Sequence, residues 1–197
     1  MSEHFVKALA APRPVPGGGA ASAHGARVGV ALLEKIILLE LDRHGIDSTP
    51  HDFWSGLLES VTDCTEALIH LRDTDGAAYL AWAEARRSGV PADQQAALLQ
   101  DAVECPLRIM EEGNSALNLV RQAALHCRKH LLSDLMVVSE LVQAGIRGAS
   151  HIARANLVST EQYAEKEQLS GRLLELNDQC RQTCQEIEHA AHARATH

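Results

Sequence analysis

Aromatic side chains are scarce in this chain: two Trp, two Tyr and two Phe among 197 residues, 3% of the total. Rings supply much of the buried area in most cores. Here the interior must be built from Ala, Leu, Val and Ile, residues that let helices approach closely, which favours helix over sheet. Positive charge is also short, with 18 Lys and Arg against 26 Asp and Glu and a net charge of −8. That balance argues against nucleic acid or an anionic membrane as partner. No uncharged apolar run approaches the roughly 20 residues needed to cross a bilayer, and the N-terminus, with Glu3 and early prolines, has no apolar signal segment. A soluble, cytoplasmic protein with no membrane association is expected.

Several chemistries are excluded by missing motifs. Gly17-Gly18-Gly19 follows prolines, not a hydrophobic strand, so a dinucleotide-binding turn is ruled out, and no Gly-Lys-Ser/Thr ending would place a lysine on phosphates. Gly-x-Ser-x-Gly is absent, which argues against acyl transfer by a serine nucleophile. The five cysteines, at 64, 105, 127, 180 and 184, include no Cys-x-x-Cys pair. Cys180 and Cys184 stand one helical turn apart, but an odd set in a cytoplasmic chain reads as reduced thiols. His126, His130 and Asp134 would share one face of a continuous helix, yet ligands on successive turns span about 12 Å of axis, too far for one ion. No metal site is expected. No internal repeat or low-complexity linker divides the chain, and its length fits one domain over residues 1–197.

What is present is helical pattern. Ser2 can cap a short helix to about residue 10, and a long helix is expected from about Ala20 to Arg43, with small residues in its early turns. The segment Gly45 to Pro50 breaks the chain, with Ser48 or Thr49 as cap and Pro50 at a first helical position. A helix to about Leu71 follows, carrying Phe53, Leu57, Val61, Cys64, Leu68 and Leu71 at spacings of three and four. A shorter helix opens at Asp75 and runs to Arg87. The next, from Ala92 to about Cys127, contains Pro106, which removes one backbone hydrogen bond and kinks it. Leu131 to about Ala153 presents Leu135, Val138, Val142 and Ile146 on one face, and a Gln-rich helix from Glu161 covers the bundle or packs across a dimer. Its tail after Glu188 is expected to fray. The fold class is all-α, a compact bundle of long helices.

The distinctive stretch is Pro12-Arg13-Pro14-Val15-Pro16-Gly17-Gly18-Gly19-Ala20-Ala21-Ser22-Ala23. Prolines hold the approach extended. The glycines leave backbone N–H groups uncovered where an Ala-rich helix starts, with its positive dipole end facing outward toward a ligand anion. Four further segments follow in order: Asp75-Gly76-Ala77-Ala78-Tyr79, Pro106-Leu107, Ser133-Asp134-Leu135, and Gly148-Ala149 followed by Asn156-Leu157. Together these resemble the formiminotetrahydrofolate cyclodeaminase and methenyltetrahydrofolate cyclohydrolase family, over roughly residues 3 to 160, with this chain as a divergent member.

The resemblance implies an intertwined or face-to-face homodimer acting on a reduced folate, with no metal or redox cofactor. The reaction it implies is hydrolysis, or formation, of the one-carbon bridge of 5,10-methenyltetrahydrofolate, or the related closure of 5-formiminotetrahydrofolate with loss of ammonia. A carboxylate near the cationic bridge favours its binding, and an acid or base moves protons to and from water and the leaving nitrogen. On this reading Gly17, Gly18, Gly19 and Ser22 meet the pterin or an anionic part of the folate. Asp134, beside Ser133, is the first candidate for the acid; Asp75 and Asn156 come second. Both aspartates have another reading, as caps at helix starts. Arg27 or Lys35 would meet the glutamate tail. His24, just beyond the glycines, reads either as a replacement acid/base or as a packing residue.

Two stretches depart from the family pattern. The polar Asn and the lysines of the family's first long helix are replaced by Glu34-Lys35-Ile36-Ile37-Leu38-Leu39-Glu40, and the segment before Ser133 reads Arg128-Lys129-His130-Leu131-Leu132. Both fall where folate contacts are expected. They leave open a different cyclic amidine or imine substrate, and an interaction module that keeps only the fold.

Overall fold

The computed structural model describes residues 2–44, 48–158 and 166–196, with the side chains of Ser2 and Ala92 left aside. Within them the chain forms six α-helices and one 3₁₀ turn: α1 (Ser2–Leu9), α2 (Gly18–Leu41), α3 (Thr49–Arg87), α4 (Ala92–His126), the turn Lys129–Leu131, α5 (Leu132–Val158) and α6 (Lys166–Thr196). The expected breaker residues 45–47 and the first residues of the expected last helix, 161–165, lie outside the described residues.

α2 is the central element. It packs against α3 on one side and α5 on the other, while α4 contacts α3, α5 and α6. The α2–α5 crossing is close because small residues meet there. A Cβ on Gly145 would lie 2.7 Å from the Ser22 carbonyl oxygen, and one on Gly148 would strike the Ser22 hydroxyl. The core is aliphatic as the composition requires, with Val30, Leu33, Ile36, Ile37, Leu117, Leu135 and Ile146 fully enclosed and Trp54 the one large ring among them. The expected stripes of α3, α5 and α6 all face inward, and α6 covers the bundle by packing on α4 and α5.

Two boundaries differ from the sequence reading. The helices expected to end near Leu71 and to begin at Asp75 are one 39-residue helix. The polar run Asp73-Thr74-Asp75-Gly76 resembles a break, but Thr74 returns its hydroxyl to the His70 carbonyl at 2.9 Å. Gly76 is there for close approach, since a Cβ would sit 3.1 Å from Val15. The C-terminal tail is not frayed either. Arg194 donates to the carbonyls of Ala124 and Cys127, both at 2.6 Å, tying the last turn of α6 to the end of α4.

Ser48 caps α3 by accepting from the His51 amide, with Pro50 in its first turn. α4 passes through Pro106 and stays helical on both sides. All five cysteines are buried thiols; burial pushes Cys64 up to about 12 and Cys105 up to about 11, so neither is a nucleophile at neutral pH.

Candidate functional site

The glycine run starts α2 without a capping side chain of its own: Gly17 is the N-cap and offers none. The first amides of a helix have no intrahelical acceptor. One of them is satisfied from another helix, because Asp75 in the middle of α3 accepts from the Ala20 amide at Oδ2, 3.0 Å. Asp75 therefore caps α2 and not the helix it was expected to open. Gly19 makes this fit possible, since any Cβ there would collide with the Asp75 carboxylate.

Around that contact lies a cleft of about 180 Å³. The approach segment contributes Pro14 and Val15, α2 contributes Gly18 and Gly19, and α3 contributes Asp75, Gly76 and Tyr79. Ala102 of α4 and Ile152, Ala155 and Asn156 of α5 close the wall. The volume is below the roughly 300–1,000 Å³ of sites that enclose a whole drug-sized ligand, so this cleft takes one end of a larger molecule.

Among the described residues, Asp75 is the only carboxylate lining the cleft. Burial pushes its pKa above the usual value, and the Ala20 amide only partly offsets that. A carboxyl so placed holds a proton to higher pH than in the unfolded chain. Between its unfolded and folded pKa values the native state binds more protons, so stability falls as pH rises through that window. Asp75→Asn does not titrate. Its melting temperature relative to wild type should therefore rise between mildly acidic and neutral pH, and a difference moving the other way would mean that Asp75 is depressed instead.

The other expected site residues divide into two groups. Gly17, Gly18, Gly19, Asp75 and Asn156 meet at the cleft. Ser22 does not: its hydroxyl donates to the Gly18 carbonyl at 2.7 Å, inside the α2–α5 crossing. His24 packs against Phe5 of α1, ring centroids 4.5 Å apart. Burial, then Arg72 and Arg27, lower its pKa, and it does not line the cleft. Arg27 is half-buried and Lys35 exposed on α2, and neither lines the cleft.

Asp134 is not brought to the glycines. It sits in the first turn of α5, beside exposed Ser133, whereas the cleft uses Ile152 and later residues, about 27 Å away along that helix at 1.5 Å per residue. Its carboxylate meets the positive end of the α5 dipole. The stripe of His126, His130 and Asp134 is broken too: His126 ends α4 and packs at a tilt against Phe53, ring centroids 4.6 Å apart, and a 3₁₀ turn intervenes. Among the described residues no three His, Cys, Asp or Glu side chains gather around one point.

Tyr79 was missed as a site residue. It stands one turn after Asp75 and so shares its face, a relation the expected helix from Asp75 to Arg87 already contained. The partner of Pro106 was missed as well. Without an N–H, Pro106 leaves the Ala102 carbonyl without its helical donor, and Asn156 supplies one, Nδ2 to oxygen at 2.7 Å.

The two stretches that depart from the family pattern meet each other, far from the cleft. Glu40, 1% exposed, accepts from both the backbone N–H and the Nε of Arg128, each at 3.0 Å. Burial alone would raise the Glu40 pKa, but the Arg128 hydrogen bonds overrule it and hold the carboxylate below its usual range.

A helical bundle with a small cleft, floored by one half-buried carboxyl at the open start of its central helix, is the class that the fold and site define. The chain belongs to the formiminotransferase-cyclodeaminase family, whose model matches residues 1–175. It is 26% identical over 184 residues to the formimidoyltransferase-cyclodeaminase of Gallus gallus, covering 87% of this chain and 34% of that protein. It is 27% identical over 181 residues to that of Mus musculus, covering 87% and 33%. The chain thus spans about a third of the length of the curated relatives it matches. Its fold matches the crystal structure of formiminotetrahydrofolate cyclodeaminase from Thermotoga maritima with a TM-score of 0.90, over 98% of this chain and 96% of that one, at 18% identity. No helix among the described residues is long and apolar enough to cross a membrane.

Proposed function

We propose that this protein opens or closes the one-carbon bridge of 5,10-methenyltetrahydrofolate, in the manner of a cyclohydrolase, with the pterin end of the folate in the cleft at Gly17–Gly19. The observation that carries the reading is the desolvated Asp75 carboxyl held among the glycines. In the hydrolytic direction water adds to the cationic bridge carbon and Asp75 takes a proton from it; that proton goes to the ring nitrogen as its bond to the bridge carbon breaks, and the adduct hydroxyl gives its remaining proton to solvent as it becomes the carbonyl of 10-formyltetrahydrofolate. An ionised Asp75 also favours binding of the cationic substrate. The glutamate tail lies outside, as the cleft volume requires. The proposal takes the protein as a cytoplasmic homodimer that needs no metal or redox cofactor; sedimentation at assay concentration tests the dimer.

The names of the matched relatives favour a second reading at the same site. In a cyclodeaminase, N10 of 5-formiminotetrahydrofolate attacks the formimino carbon and passes its proton to the formimino nitrogen, which takes a second proton from Asp75 and leaves as ammonia as the methenyl bridge forms. One pair of assays separates the two. Added to 5,10-methenyltetrahydrofolate, the protein should speed the loss of its absorbance beyond buffer. If it instead generates that absorbance and releases ammonia from the formimino compound, the second reading holds. Neither change with folded protein overturns both.

A further inference from the structure

We propose that Pro106 is a positioning residue for the cleft: the Ala102 carbonyl it frees holds the Asn156 amide as a binding group for a heterocycle with a lactam edge. The inference rests on the reading of this cleft as the folate site and names how the ring is recognised there.

In an unbroken helix the N–H of residue 106 would donate to the carbonyl of residue 102. Proline has no N–H, and its ring pushes on that carbonyl. Pro106 is buried in α4, and Ala102 is only 4% exposed. A buried carbonyl left without a donor costs about 1–3 kcal/mol. The donor comes from Asn156, near the end of α5, at 2.7 Å. Both residues line the cleft that also holds Asp75.

The chemistry of the contact fixes which way the amide faces. A carbonyl only accepts, so the atom turned to it is Nδ2 and never Oδ1. That leaves Oδ1 and one N–H as the polar atoms that Asn156 offers a ligand. An adjacent donor and acceptor match the N–H and C=O of a lactam edge, which a pterin carries. A proline that only kinked α4 for packing would leave its freed carbonyl to water or to any nearby donor. Here it is matched to a cleft side chain from a different helix. Two sequence motifs that had no joint role, Pro106-Leu107 and Asn156-Leu157, are thereby joined by one hydrogen bond.

The test compares wild type, Pro106→Ala, Asn156→Ala and the double variant, using calorimetric binding of 5-formyltetrahydrofolate, steady-state kinetics, and hydrogen exchange of the Asn156 side-chain amide. Pro106→Ala returns a helical donor to Ala102 and should keep the fold. It should weaken binding about five- to tenfold, the worth of one hydrogen bond, with KM moved more than kcat. The double variant should bind no more weakly than Asn156→Ala. Wild-type binding by Pro106→Ala, or multiplicative effects in the double variant, would overturn the proposal. Asn156→Asp covers the case in which Pro106→Ala does not fold: a carboxylate cannot donate to Ala102, so it should bind no better than Asn156→Ala, and wild-type affinity overturns the idea. If wild type binds no reduced folate, the functional reading fails, and amide exchange decides this inference separately. Protection in wild type that is lost in Pro106→Ala supports it; equal exchange in both overturns it.

Discussion

Asp75→Asn should lower kcat for bridge opening or closing by about a hundred- to ten-thousand-fold, the range that a positioned general acid or base contributes. The substitution is close to isosteric, and an asparagine Oδ1 can still accept from the Ala20 amide, so the N-terminus of α2 keeps its tertiary cap. Loss of rate with an unchanged far-UV spectrum and an equal or higher melting temperature would place Asp75 in the chemistry and not in the fold. A kcat within a few-fold of wild type would remove it from the mechanism. Gly19 gives the geometric control. A methyl group there occupies the place of the Asp75 carboxylate, so Gly19→Ala has to displace the acid without changing it.

The largest effect on stability is expected at the opposite end of α2. Arg128→Ala leaves the enclosed Glu40 carboxylate with one backbone N–H and the more distant Arg43 and His44, at 3.9 and 4.0 Å. Stripping a buried charge of its main partner costs about 2–4 kcal/mol, measured as a shift in urea midpoint at constant slope. The loss should shrink at acid pH. The Glu40 pKa is depressed in the folded state, so its contribution is present above the unfolded carboxylate value and disappears as pH falls through the folded one. Replacing both members, as Glu40→Met with Arg128→Leu, should cost less than Arg128→Ala alone. If the double variant is the less stable of the two, the pair contributes in its own right and not only by avoiding an orphaned charge.

That ion pair also changes the meaning of the departures from the family pattern. Read along the chain, Glu40 and the Arg128 segment are two separate losses of expected folate contacts. In the folded protein they meet, an acid on α2 paired with a base that precedes α5. Neither lines the cleft.

The sequence by itself determined the helical class, the inward faces of α3 and α5, a cap at Ser48 or Thr49, and the glycine entry to α2. All of these follow from local causes: period, propensity, and the backbone demands of Pro and Gly. Only the tertiary structure decided which acid faces the glycines. Asp75 and Asp134 have the same local signature, a carboxylate beside a small or hydroxyl residue near an apparent helix start. What separates them is that α3 continues through Asp75 and lays it against the first amides of α2, while α5 carries Asp134 away by its own length. The same reason hid the bond between Asn156 and Ala102. A side chain's partner on another helix is set by how the helices cross, and crossing is a property of packed surfaces that no local window of residues contains.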